Sequence, residues 1–327
     1  MPRTLDVKLQ KYFSAVIIKM NSFPAKHFTH LFADYLEVVS LFSKNNYISS
    51  TDLIDRFRDE GIIIRKKNDD EQAEDNDKQE QWASQIFDII VEREILFNND
   101  YPFELLGNNK IKLKSSVTFN NRQKLYLFLL LSSCLYLFEI FESELTKEFE
   151  SVCFEALSKF LPTHSIVKSF GKNSDYSGTA VQKITQLAND LKIKVNDSYI
   201  TKISSRGNQE RGLDIIGWIP FQDSVANFLS ILCQCACGKE WYKKLQETRR
   251  YENYYVFHCN KPIHAMFIPY SLINYQKSDF HQADEITGTL LFERSRILNF
   301  VSDDTFFNTL ASKTIVERCI AYEEDIV

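Results

Sequence analysis

The stretch that most limits the fold lies between Gly212 and Gly238, where two apolar runs of strand type follow one another, each with a polar residue set into it. GLDIIGWIPF carries Asp214 near its start, and NFLSILCQCACG carries Gln234 near its end. Runs this apolar fit strands buried on both faces. A carboxylate inside such a strand is costly unless something pairs with it. Asp214 and Gln234 are 20 residues apart, enough for two adjacent antiparallel strands joined by a turn through Gln222-Asp223-Ser224. Cys233, Cys235 and Cys237 alternate with Gln234, so they project to one face and Gln234 to the other. Structural zinc uses paired cysteines in tight turns, whereas buried cysteine packs as a small hydrophobe. These three read as core.

The flanking segments supply helices and further strands. ELTKEFESVCFEALSKFL (144–161) is an amphipathic helix with Phe149, Val152, Cys153, Leu157 and Phe160 on one side. SIVKSF (165–170) is a short strand, and 180–191 is a second helix. After Gly238, KEWYKKLQETRRY reads as a third helix. Strand-type runs YYVFHC, AMFIPY and GTLLF then lead to helical segments over 306–319.

The order helix, strand, helix, strand, strand, helix, with an acid early in one strand and Gln late in the next, resembles the PD-(D/E)xK superfamily of restriction-endonuclease-like nucleases. The resemblance covers residues 143–251, about a third of the chain. It implies that Glu150, Asp214 and Gln234 converge on Mg²⁺ or Mn²⁺ for hydrolysis of a DNA phosphodiester, with Glu155 and, less well, Glu148 as alternatives to Glu150. Gly212 would let the backbone pass close to substrate. The family's lysine stands two residues after the third-strand ligand, where this chain has Ala236. Lys239 is the expected replacement, with Lys243 and Lys244 as further candidates. Arg206, Arg211, Arg249 and Arg250, with Lys243 and Lys244, are candidate DNA phosphate contacts. Nucleases of this type with appended helical modules imply a role in bacterial defence against phage or foreign DNA. The competing expectation is an inactive nuclease fold that binds DNA or a partner protein.

Residues 1–118 give three helices (28–42, 52–60 and 81–94) and then two β-leaning runs about Gly107-Asn108-Asn109, which is hairpin chemistry. That is the order of a winged helix-turn-helix, so the expected fold is α+β and multidomain. A winged-helix-like module would be followed by a connecting helix (119–142), an α/β nuclease core with a mixed sheet (143–251) and a C-terminal extension of that core (252–327). KKNDDEQAEDNDKQE (66–80) is polar and acid-rich and reads as a disordered insertion. Its charge would repel DNA, so the module is expected to bind a partner protein or a second copy of the chain. The formal net charge of −5 argues against a sequence-indifferent nucleic-acid coat. The most apolar stretch, 125–140, is shorter than the roughly 20 residues that span a bilayer, so no membrane association is expected. Seven cysteines, an odd number, fit reduced thiols and a cytoplasmic location. No Gly-rich phosphate loop is present, which excludes ATP hydrolysis by that motif. Trp218 and Trp241 read as core, and Glu293-Arg294-Ser295-Arg296 as a structural ion pair.

Overall fold

Helical spacing of apolar residues in the first hundred positions yields α1 (Leu5–Phe13), α2 (Thr29–Phe42), α3 (Ser50–Asp59) and α4 (Asp69–Phe97), with β1 (Ile48–Ser49) entering α3. The computed structural model describes residues 4–20, 24–43, 47–63, 69–115, 119–171, 173–203, 212–221, 223, 225–226, 228–257, 260–281 and 283–322, with the side chains of 69–73 and 285 left aside. Ser49 caps α3 in a reciprocal box with Asp52, which satisfies donors that a helix start otherwise leaves open. Gly61, at φ +77°, follows its end. β2 (Phe103–Leu105) and β3 (Lys110–Leu113) form the hairpin about Gly107, and β1 joins it in the order β1-β3-β2. α2 is buried from His30 to Phe42. It carries Asp34 and Glu37, each at most 1% exposed, which are 2.8 and 3.0 Å from Arg93 of α4. Tyr101 and Tyr126 donate to Glu37 at 2.8 and 2.9 Å. Burial alone would lower the Arg93 pKa, but Glu37 and Asp34 hold it well above its ordinary value.

The acidic segment expected to be disordered is instead helical from Asp69 onward, and residues 66–68 lie outside the described set. Glu74 pairs with Lys78 one turn on, while Arg58 of α3 donates to Asn76 and to Gln79, a residue only 4% exposed. The polar stretch thereby continues a helix anchored by the buried Trp82, Ile86 and Ile90.

α5 (Asn121–Ser133) is buried from Leu125 to Ser133 and gives way to 3-10 turns at Leu135–Leu137 and Glu139–Phe141. Among the described residues no helix is long and apolar enough to cross a membrane.

The second half is built on α6 (Glu142–Phe160), β4 (Ile166–Ser169), α7 (Ala180–Asp190), β5 (Lys194–Val195), α8 (Asp197–Ile200), β6 (Ile215–Ile219) and β7 (Leu229–Cys235). α9 (Tyr251–Tyr254), β8 (Tyr255–Val256) and β9 (Ile263–Phe267) follow, with β10 (Ile273–Asn274), β11 (Asp279–Phe280), β12 (Leu290–Phe292), α10 (Arg294–Phe300) and α11 (Lys313–Ile320) completing the chain. β4, β6, β7, β9 and β12 lie side by side in that order in one sheet. β6 is antiparallel to β4 and β7, whereas β9 and β12 run parallel to β7. The chain is thus α+β, about half helical, with a mixed five-stranded sheet.

Period-two alternation distributes β6 between two faces. A Cβ on Gly217 would meet Leu161 Cδ1 at 2.5 Å and Leu157 Cδ2 at 3.4 Å, so α6 and the residue after it lie directly on that face. Ile216, Trp218 and Leu232 join Ile184, Leu187 and Ala188 of α7 in the core on the other. Phe149, Val152, Cys153 and Leu157 are fully buried as expected, whereas Phe160 is 40% exposed and packs edge-on to Phe292 and Phe300.

Two further expectations are corrected. Residues after Gly238 do not form a continuous α-helix: they make 3-10 turns at Trp241–Lys244 and Glu247–Arg250 before α9. The buried positions there are Trp241, Leu245, Thr248, Tyr251 and Tyr254, a spacing dominated by steps of three, the period of a 3-10 helix. The unit boundaries also differ. One unit comprises 1–145, 270–281 and 303–327, and the other 146–269 and 282–302. α5 therefore belongs to the first unit. The C-terminal quarter is divided: β9 and β12 complete the sheet of the second unit, while the β10–β11 hairpin and α11 belong to the first.

Candidate active site

Asp214 stands immediately before β6, where three chain segments meet. Its N–H donates to Cys233 O at 2.9 Å, and its carbonyl accepts from Phe170 N at 2.7 Å and Gly171 N at 2.9 Å. Its side chain is fixed as well, since Cys235 N donates to Oδ2 at 2.7 Å. The paired register of β6 and β7 ends at Ile215 opposite Cys233, and the Asp214 N–H shares that same cysteine, so Asp214 stands where regular pairing stops. An acid at this strand mouth is held on both sides by backbone.

Gly171, just beyond β4, brings in the second acid. A Cβ there would lie 2.8 Å from Asp214 Oδ1 and 2.9 Å from Glu150 Oε2. Two oxygens that close to one point cannot be farther apart than the sum of those distances. Glu150 of α6 and Asp214 are therefore neighbours across a glycine with no side chain to separate them. Glu155 turns instead to Lys159, 3.6 Å away.

Gln234 is penultimate in β7 and 5% exposed. Its Nε2 donates to Glu247 Oε2 at 2.6 Å, and its Oε1 is buried with no hydrogen-bond partner among the described residues. Gly212 adopts φ +83°, and a Cβ on it would meet Glu247 Cβ at 2.6 Å and Glu247 Oε2 at 2.8 Å. The space beside this glycine, expected to admit substrate, holds a glutamate side chain.

The lysines are less concentrated. Lys243 pairs with Glu240 on an exposed turn, and that contact raises its pKa. Lys239 is exposed and lies close enough to Glu240 to help lower that carboxyl, after the larger effect of Lys243. Lys244 is exposed on the same turn. Arg249 donates to Gly288 O at 2.7 Å and is 3.8 Å from Glu252, and Arg250 is 3.9 Å from Glu247. Arg206 and Arg211 lie outside the described residues, as do Gln222 and Ser224 of the expected turn.

Cys233 and Cys235 face α6 and lie against Cys153. Burial pushes all three thiols up, and Asp214 reinforces the rise. They are packing residues, as is Trp218 at 4% and Trp241 at 1% exposure. Glu293 serves as the N-cap of α10, accepting from Arg296 N at 2.9 Å, while the buried Arg294 donates to Pro269 O at 2.8 Å.

Sequence reasoning missed Gly171, Glu247 and a buried network around His264. His264 of β9 lies 2.9 Å from Thr248 Oγ1 through Nδ1 and 2.9 Å from Glu252 Oε1 through Nε2, and Lys261 is 2.8 Å from Glu252. Burial lowers the His264 pKa, with Glu252 opposing. A glycine directly after a strand was a readable signal for Gly171. Glu247 gave none, because a continuous helix would have placed it differently.

Among the described residues no group of three or more His, Cys, Asp and Glu side chains is arranged to hold a metal. Asp214 and Glu150 supply a carboxylate pair, and Gln234 an orphaned buried carbonyl oxygen. An all-oxygen set with few protein ligands fits Mg²⁺, which keeps several waters and uses one or two carboxylates. No protein-family model matches the chain, and no curated protein or solved structure does.

Proposed function

We propose that the chain is a metal-dependent DNA nuclease of the restriction-endonuclease type, with Asp214, Glu150 and Gln234 holding Mg²⁺ or Mn²⁺. The observation that carries this reading is the meeting of Asp214 and Glu150 about Gly171 at the mouth of a buried strand. Two half-buried carboxylates held side by side repel one another, and a divalent ion that takes one or two carboxylates is suited to bridge them. The mixed sheet supports the reading: α6, β4, β6 and β7 follow the order of the family's core, and the acids come from the helix and strand that the resemblance assigns. The β1-β3-β2 sheet with α2, α3 and α4 supports a winged-helix-like first unit.

When bound, the ion would activate water and neutralise charge on the phosphodiester. The chain's own part is positional. The Cys235 N–H fixes one oxygen of Asp214, α6 brings in Glu150, and Gly171 leaves the two carboxylates unseparated. Lys239, on the exposed turn after β7, is the proposed phosphate contact, with Lys244 in support.

A second reading, an inactive nuclease fold that binds DNA or a partner, is favoured by Ala236 at the lysine position and by the engagement of Lys243 with Glu240. Incubating purified protein with supercoiled, linear and single-stranded DNA separates the two readings. The nuclease reading expects cleavage with Mg²⁺ or Mn²⁺ that EDTA abolishes. DNA binding without cleavage of any form would favour the second.

A further inference from the structure

The two ends of the Gln234 carboxamide have different surroundings, and a carboxylate decides which end is which. Glu247 Oε2 can only accept, so the atom 2.6 Å from it is the amide nitrogen. That leaves Oε1 buried and without a hydrogen-bond partner among the described residues. A buried orphan carbonyl costs free energy and calls for an explanation, an ion among the candidates. Glu247 arrives from the 3-10 turn Glu247–Arg250, and Gly212 admits it by having no side chain.

We propose that Glu247 is a positioning residue for the divalent ion: it holds the nitrogen end of Gln234 so that the oxygen end serves as ligand. This rests on the metal-dependent reading above and adds a residue to it. The same contact explains why β7 carries Gln where an acid is the commoner choice. A glutamate at 234 would set two carboxylates against each other at hydrogen-bond distance, a like-charge contact. The carboxamide donates to Glu247 at one end and offers an oxygen at the other, and the charge behind it raises electron density on that oxygen. Outer partners of metal ligands act in this way, and their loss typically weakens metal binding by about 10–100-fold.

The test is Mn²⁺ binding followed by electron paramagnetic resonance, without DNA, on full-length protein. Wild type should bind the ion. Glu247→Ala should weaken binding by about tenfold or more, and Gln234→Glu alone should weaken it as well. The double variant Gln234→Glu/Glu247→Gln restores an amide–carboxylate contact with the polarity exchanged, and should recover binding close to wild type. Each shape-conserving variant is matched to wild type by circular dichroism, so the exchange remains informative if Glu247→Ala does not fold. A merely structural Glu247 would change melting temperature without producing rescue of affinity. If wild type binds Mn²⁺ and the double variant binds no better than Gln234→Glu, the Glu247 proposal fails while the metal reading stands. If wild type binds no Mn²⁺, both fail.

Discussion

A methyl group on Gly171 would sit 2.8 Å from Asp214 Oδ1 and 2.9 Å from Glu150 Oε2, closer than a Cβ tolerates. Gly171→Ala should therefore push the two acids apart while leaving the apolar core untouched. Cleavage should fall by about tenfold or more, with only a small change in melting temperature; unchanged cleavage would show that the spacing of the acids is unimportant. His264 makes a prediction about pH. Burial lowers its folded pKa below the ordinary 6.5, so the unfolded chain binds a proton that the folded chain refuses. Stability is then present above about 6.5 and is lost as pH falls through the interval down to the folded value. Glu252, held below its ordinary value by Lys261 and then by His264 against the effect of burial, adds a loss of the same sign at lower pH. Urea melts at pH 7.5 and 5.5 should show the drop, and His264→Gln should reduce it. An equal drop in the variant would remove His264 from the account.

Elements were legible wherever one period dominated. β6 and β7 announced themselves because a buried strand leaves few polar residues to confuse the pattern, and Asp214 and Gln234 stood out against it for the same reason. Gly107 marked the hairpin. Two elements were misread for physical reasons. Residues 69–80 look unfoldable alone, yet α4 continues through them because Arg58 binds Asn76 and Gln79 and the helix is already anchored at Trp82. The segment after Gly238 looks helical, yet its large buried side chains recur mostly every third residue. Deleting residues 69–78 removes the Asn76 partner of Arg58 and the first turns of α4. It should cost on the order of 1 kcal/mol, a fall in melting temperature of roughly 2–4 °C. An unchanged melting temperature would return the segment to the status of a solvated insertion.

At the scale of the whole molecule, units assembled from separated segments were the least readable feature. Nothing local in AMFIPY or GTLLF says that these strands extend the sheet of β7 while the residues between them, 270–281, belong to the other unit. Such pairing depends on contacts distant in sequence. The acid pair was half legible: Asp214 was singled out by its apolar strand, whereas Glu150 needed α6 to be laid on the sheet before it could be distinguished from Glu155. The proposed nuclease activity requires these acids to hold the ion that cuts DNA, and removing one charge from the pair probes that requirement. The rate of Mg²⁺- or Mn²⁺-dependent cleavage should be compared between wild type and Asp214→Asn, matched for circular dichroism and melting temperature. Asparagine keeps an oxygen for the Cys235 N–H and removes only the charge. The expected result is a loss of roughly a hundredfold or more, about 3 kcal/mol of transition-state stabilisation. Equal rates in the two proteins would contradict it.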